Sequence, residues 1–528
     1  MALDPKAAQK RLGQLKAARS THDTLWQEVA DFILPSRQFT RGTAPGQKRN
    51  GLIFNTAPLL ACEQLAGGLH GMLTSPSLRW FALRALPDQA RDQAAAVWFE
   101  AATDAMYGQF QSGWRGFDVA LHEAYLDIAA FGMAVVFIAD RGRRGPGFQA
   151  VPLAECFISE NAERQIDTLY RCYKLPLREV ARLWPATIPD ALRRQAAERP
   201  DQEVEITHAV EPRAGGSGWD SLYCTEGAYL DHERFSEFPY AVPRWEKRSG
   251  ESYGTGPGVS ALADIKMVNK LEELNLRGLA KAIDPAVFLP HDGFINKPNQ
   301  NPGAFNYYDS GQWRGGNPLF TMPVGRPELA EQKIEQVQQR IRDLFYTTWL
   351  SLPSQPNMTA TEILQRVDEY RRLMSPFYAR LVQELLNPVI ERVFAINLRQ
   401  RLFPPVPPSL QGQGWTVEYM GPLARAQRAA DAETVIRVLA AAQPLLQTDP
   451  MALEPLDTEA TFRFLAERHG MPAALIRSPE ALAQRRAERQ QLEAMQAQAM
   501  ALRQGAGAAK DGAQAIATLA GIEGGAAG

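Results

Sequence analysis

The sequence is poor in the features that usually announce a function. Its 528 residues include only four cysteines, Cys62, Cys156, Cys172 and Cys224. None of them forms a C-x-x-C pair, which argues against a zinc site and against a disulfide framework in so long a chain, and points to a reducing cytoplasm. Neither sign of charge is in excess: 57 Lys and Arg face 59 Asp and Glu, for a formal net charge of -2. No global basic surplus therefore advertises nucleic-acid binding. No uncharged apolar run reaches the roughly 18 residues needed to span a bilayer. Met1 to Arg19 alternates Ala and Leu with Lys, Arg and Gln and does not read as a signal peptide. The expectation is a soluble chain without a membrane partner.

Catalytic and nucleotide motifs are missing too. Gly42-Thr-Ala-Pro-Gly46-Gln-Lys48-Arg49 has its glycines too close for a P-loop, and no Ser or Thr follows the lysine to hold magnesium. Gly254-Thr-Gly256-Pro-Gly258 precedes a predicted helix, where free amides attract anions. Its G-x-G-x-G spacing, its proline and the polar residues before it do not fit a dinucleotide fingerprint, so it reads as a hinge at the mouth of that helix. His122-Glu123 lacks a second histidine four residues away, and no G-x-S-x-G occurs. No catalytic residue, metal or cofactor is expected. The rival reading, a DNA-processing enzyme or motor, finds carboxylates in number but none placed by a metal or nucleotide motif.

A hydrophobic content of 45% is ample for a sizeable core and more than one structural unit. The first 130 residues read as mostly helix, over Pro5 to Leu34, Thr56 to Leu73, Asp92 to Phe110 and Phe117 to Phe131. Between Gly132 and Lys247 the pattern shifts to antiparallel strands, at Ala134 to Ala139, Ile166 to Tyr173, Glu203 to Val210 and Leu222 to Leu230, with a helical insert near Leu177 to Trp184. Two helices follow, Val259 to Ile283 and Glu328 to Leu350, predicted to be roughly 37 and 35 Å long at 1.5 Å per residue. They bracket a module rich in Pro, Gly and Asn, from Pro285 to Pro327, which suggests an antiparallel pair carrying that module at its tip. Thr359 and Glu362 form a T-x-x-E capping box for a further helix, which Pro376 and Pro388 should kink. Beyond the linker Pro404 to Gly414, helices are predicted at Arg425 to Gln443, Thr458 to Gly470 and Pro479 to Arg503, then a mobile Gly/Ala tail.

The helix pair is the most informative part. On the second helix Ile334, Val337, Ile341, Leu344 and Phe345 make an apolar stripe, opposite a nearly uncharged face of Gln332, Gln336, Gln339 and Asp343. On the first, Lys266, Lys270, Glu273, Arg277 and Lys281 form one polar stripe. Leu262, Ile265, Val268, Leu276 and Leu279 on one side, and Met267, Leu271 and Leu274 on the other, are apolar. Such a helix needs neighbours on two sides, which either a large domain core or a ring of subunits supplies.

Specific strings extend this. Leu73-Thr-Ser-Pro76 with Trp80-Phe81, Tyr253-Gly-Thr-Gly-Pro-Gly258 leading to Asp264-Ile-Lys-Met267 and Leu271-Glu-Glu-Leu274, Asn306-Tyr-Tyr308, Met358-Thr-Ala-Thr-Glu362 and Gly421-Pro-Leu-Ala-Arg-Ala-Gln427 occur in an order and spacing that resembles the podovirus head-to-tail connector, or portal, family. The resemblance runs from Leu12 to Gly470. It implies an α+β, mainly helical subunit of a dodecameric ring, with a wing (1–250), a first stem helix (251–284), a small α/β clip (285–327), a second stem helix (328–350), a channel loop (351–358), a kinked wing helix (359–402) and a linker and helical crown (403–478). The C-terminal helix and tail (479–528) would extend the crown or form a barrel.

By the same resemblance, the ring conducts double-stranded DNA during packaging and ejection. Its partners would be the terminase large subunit, scaffolding and major capsid protein, and later tail adaptor and nozzle proteins. It would be assembled in the host bacterial cytoplasm and sit at a unique capsid vertex of the virion. The channel loop would be Ser351, Leu352, Pro353, Ser354, Gln355, Pro356 and Asn357, and Asp292, Asn306, Tyr307 and Tyr308 would contact terminase or adaptor at the clip. Twelve helices spaced about 10 Å apart leave a lumen roughly 27 Å wide, enough for a duplex. A lysine-lined channel would hold DNA through counterion release. The glutamine face is therefore expected to line the lumen, with Lys266, Lys270, Arg277 and Lys281 outside or between subunits.

Overall fold

The computed structural model describes residues 3–40, 46–86, 93–291, 299–309, 320–321, 327–347, 374–410, 414–420, 432–442, 456–468, 471, 475–477 and 481–496. The chain divides into two units, Met1–Ala82 with Ala101–Pro405 and Val417–Leu423, and Leu83–Glu100 with Val406–Thr416 and Ala424–Gly528. Helix and strand are mixed, with helix the more abundant.

In the first unit, Asp4 accepts a hydrogen bond from the Ala7 amide and Pro5 occupies the first turn, which starts helix α1 (Pro5–Phe32). The helices α2 (Ala57–Leu73), α3 (Gln93–Phe110) and α4 (Phe117–Phe131) fall within a residue of the windows predicted for them. Strand β1 (Phe81–Ala85) lies between α2 and α3, and β2 (Val136–Asp140) pairs antiparallel with β3 (Pro146–Ala150).

A five-stranded antiparallel sheet follows, built in sequence order from β4 (Cys156–Glu160), β5 (Ile166–Pro176), β6 (Glu203–Pro212), β7 (Trp219–Thr225) and β8 (Ala228–Phe235). Alternate side chains serve its two faces. Phe157, Tyr170, Ala209 and Leu222 pack under Ala8, Leu12 and Leu15 of α1. Ile206 and Leu230 pack with Val180, Trp184 and Ile188 of the segment that carries α5 (Leu177–Leu183) and α6 (Asp190–Glu198). Arg19, buried on α1, donates to the carbonyls of Leu153, Ala154 and Cys156 and stacks on Phe157, which pins α1 to the edge of the sheet.

The run Leu222 to Leu230, predicted as a single strand, is a hairpin. Glu226 and Gly227 both take positive φ, 44° and 79°, the pattern of a tight two-residue turn. The predicted hinge at Gly254 to Gly258 is a packing seam. After β9 (Tyr240–Ala241) and β10 (Glu246–Lys247), Gly254 and Thr255 form β11 (Gly254–Thr255), and the chain runs through one turn, α7 (Pro257–Ser260), into α8 (Leu262–Ile283). A Cβ on Gly256 would stand 2.6 Å from Gly132 Cα, and one on Gly258 would stand 2.3 Å from the Ala130 carbonyl oxygen. The glycines let this segment lie backbone to backbone on the end of α4.

Three strands, β12 (Val287–His291), β13 (Phe305–Asp309) and β14 (Phe320–Thr321), form a sheet in the order β13-β12-β14, with β12 and β13 parallel. Among the described residues this module contains no helix. Helix α9 (Pro327–Leu344) returns from it. The kink expected at Pro388 takes the form of a π-turn. Helix 374–381 widens over Val382–Leu386 before α10 (Asn387–Arg399), and the Asn387 amide bonds to the Val382 carbonyl. Proline offers no amide to the residue four before it and its ring crowds that carbonyl, and a wider turn relieves both.

In the second unit, Asp457 caps α11 (Thr458–Arg468) through the Ala460 amide, and Arg463 and Arg486 both reach Glu459. Residues 432–442 and 481–496 are helical. The stretches 351–373, which includes the expected channel loop and capping box, 421–431 and 497–528 lie outside the described residues.

Candidate functional site

The two long helices α8 and α9 pack against each other, and α2 packs on α9. They are less equal than predicted. With 22 and 18 residues they rise about 33 and 27 Å. Pro257 to Ser260 forms a separate turn ahead of α8, and α9 ends at Leu344 because Tyr346 adopts a left-handed φ of 58°. Tyr346 is held there by Trp245 and Phe377, themselves stacked at 4.4 Å. At the other end, Pro285 disfavours helix at Asp284 and stops α8 at Ile283.

The apolar stripe of α9 is buried at Ile334, Val337, Ile341 and Phe345, whereas Leu344 is exposed, being on the last helical turn. The side chains of Gln332, Gln336, Gln339 and Asp343 are all exposed along the opposite face. That face is not wholly free of charge: Gln339 donates to Asp343 at 3.1 Å and accepts from Arg342 at 3.4 Å.

On α8, Leu262, Ile265 and Val268 are buried, while Met267, Leu274 and Leu276 are exposed. The polar stripe is largely neutralised within the chain. Lys266 pairs with Glu28 of α1 at 2.8 Å, and Glu273 takes both Lys270 (2.9 Å) and Arg277 (2.6 Å). The hydrogen bond from Lys270 holds the Glu273 carboxyl below its ordinary value. Lys281 is half-buried. Arg340 of α9 reaches Asp264 of α8 at 3.1 Å and ties the two helices together.

Two features escaped the sequence reading. Asn269, on the buried face of α8, accepts from the amides of Phe54 (2.7 Å) and Asn55 (3.2 Å) and donates to the Leu52 carbonyl (2.7 Å). It clamps α8 to the loop before α2. The signal was present: an asparagine beside Val268 on an apolar face requires partners. The second is Arg244, 2% exposed, which holds Glu384 of the π-turn through its backbone amide and guanidinium (2.7–3.1 Å) and also bonds Glu160, which Lys247 shares. Its partners lie 84 and 140 residues away, so no local pattern marks it.

In the tip module, Asn306 is buried and its amide bonds the backbone of Asn299 at both ends, so it holds its own loop. Tyr307 is exposed. Tyr308 has its backbone on β13 but its side chain is not described, and Asp292 is outside the described residues. Among the described residues no group of His, Cys, Asp and Glu is placed to hold a metal ion, and no helix is long and apolar enough to cross a membrane. The four cysteines are unpaired thiols, three of them buried.

Comparison with known proteins adds the family. The chain is 28% identical over 533 residues to the "Probable portal protein" of Bordetella phage BPP-1, and 25% identical over 521 residues to the "Portal protein" of Salmonella phage epsilon15. Each match covers 94% of this chain and 93% of the relative. Among solved structures, a chain of the "Virion of native gene transfer agent (GTA) particle" aligns with 79% of this chain and 95% of its own length, at 12% identity and a TM-score of 0.36. Residues 5–476 match one family throughout, a span that begins and ends just beyond the Leu12 to Gly470 stretch of the sequence motifs: the chain belongs to the bacteriophage head to tail connecting proteins.

Proposed function

We propose that the chain is a portal subunit of a short-tailed bacteriophage, one of twelve in a ring whose lumen passes double-stranded DNA into and out of the capsid. In this reading α8 and α9 form the stem, the β12–β14 sheet lies in the clip, and residues 1–250 belong to the wing with α10. The observation that carries it is the two-sidedness of the helix pair. One face is buried against the chain itself, and the other presents the row Gln332, Gln336, Gln339 and Asp343 to solvent, with the cations Lys333 and Arg342 at its flanks. Amide side chains let a polyanion slide, because they add no counterion-release contribution to binding.

The subunit works as an aperture and performs no chemistry. A separate terminase motor at the clip would do work on DNA, with scaffolding and capsid proteins during assembly and tail proteins afterwards as further partners. Assembly would take place in the host cytoplasm, and the ring would stay in the virion. Negative-stain images of the purified chain should show twelve-fold rings with a central hole. A monodisperse monomer at high concentration would overturn the reading. Gln332→Lys with Gln336→Lys should leave rings intact yet slow DNA passage in a packaging assay, most strongly at low salt.

A further inference from the structure

A cavity of about 820 Å3 opens between the π-turn helix and two loops of the sheet region, the tip joining β4 to β5 and the turn after β10. Six basic and four acidic side chains line it, an excess of two positive charges. The acids are largely committed: Glu384 is held by Arg244, and Glu237 takes both Arg392 and Arg399. Glu163 is exposed at the loop tip, and burial raises the Glu391 carboxyl above its ordinary value.

Three of the cations have no ion-pair partner among the described residues. Arg164 stands on the β4–β5 tip in a left-handed conformation with φ 61°, and its carbonyl accepts from Arg244, which fixes the tip against the cavity. Arg248 follows β10. Arg380, on the helix just before the π-turn, has a buried Nη1 with no acceptor among the described residues. A guanidinium N–H removed from water without an acceptor is costly, and an anion that reaches it offsets that cost.

We propose that this cavity is a binding site for a phosphate-type oxyanion, gripped by the guanidinium groups of Arg380, Arg164 and Arg248. Planar forks of N–H donors match phosphate oxygens two at a time, which a lysine pocket does not do. The phosphate has two possible sources, a free inorganic phosphate or polyphosphate, or the backbone of a DNA duplex. The site does not depend on the stem reading, since all of its residues lie between Glu163 and Arg392 and none is on α8 or α9.

The test uses the purified full-length oligomer at low salt, titrated by calorimetry with inorganic pyrophosphate and by fluorescence anisotropy with a short duplex. Binding of at least one probe is expected, weakened about tenfold or more by Arg380→Gln and again by Arg164→Gln with Arg248→Gln, two exposed positions whose replacement leaves the fold intact. Arg380→Lys, which keeps the charge and loses the fork, should rescue only in part. If the duplex is the source, each arginine removed also lowers the salt slope of binding by about one. If free phosphate is the source, pyrophosphate affinity falls and the weak duplex binding stays as it was. The proposal is overturned if neither probe binds, if binding ignores all three arginines, or if the variants lose their rings without having bound an anion. That last result would mean that carboxylates of a neighbouring copy fill the cavity.

Discussion

The five-stranded sheet and the α8/α9 pair end their folding in opposite conditions. In the sheet, both faces are covered by the chain's own segments. Even the fully buried His208 has both ring nitrogens bonded, to Tyr240 (2.6 Å) and Ser221 (2.8 Å), with Tyr223 stacked at 4.0 Å. In the helix pair one side is just as complete, yet Met267, Leu274, Leu276 and Ile283 stay exposed, the last at 83%. A buried, satisfied network makes a region sufficient in one copy, whereas an amphipathic helix with apolar residues left in water is finished by something outside the chain. On the proposed reading, neighbouring subunits finish it.

Substitutions can break this contrast, and the largest effect is expected where the interior is charged. Arg244→Met leaves Glu384 and Glu160 short of their buried partner and should cost about 3–5 kcal/mol in denaturant unfolding. A loss below about 1 kcal/mol would mean that the cluster is dispensable.

Next is the pH response of the sheet. Burial lowers the His208 imidazole from an ordinary 6.5 to about 3. A base depressed in this way contributes stability that is complete above the unfolded value and is lost as pH falls through the window between the two. About 3 kcal/mol should be gone by about pH 4, and His208→Gln should flatten that part of the stability profile. An unchanged profile would show that the ring is not buried in its neutral form.

The glycine seam should respond more mildly. Gly256→Ala sets a methyl against backbone atoms of Gly132 and Ile128 and should cost about 1–3 kcal/mol, read as a lower midpoint at unchanged slope. The smallest effect on folding, within about 0.5 kcal/mol, is expected for Leu274→Gln with Leu276→Gln. That pair should nonetheless shift the oligomer toward smaller species in light scattering. If folding suffers and assembly does not, the comparison between the two regions fails.

Much of this architecture was legible beforehand. The N-terminal helices follow from apolar residues recurring at helical spacing and from stops such as Gly132, whose φ of 87° ends α4. The glutamine face of α9 could be read from period alone, because exposure on a regular helix is set by angle. Elsewhere the local pattern misled. Leu222 to Leu230 is rich in strand-forming residues on both sides of Glu226-Gly227, and the positive φ of that pair makes it a turn. Tyr346 looks like one more helical residue until Trp245 and Phe377 hold it out of the helix.

By itself, then, the sequence determined the helix pair, its polar face and the family motifs, all of which depend on neighbours a few residues apart along the chain. The tertiary structure alone decided that Gly254 to Gly258 is a seam rather than a hinge, that Asn269 is a clamp, and that Arg244 bonds a carboxylate 140 residues away. Those outcomes turn on close approach and on buried charge. Both are properties of distances between segments that only the folded chain brings together.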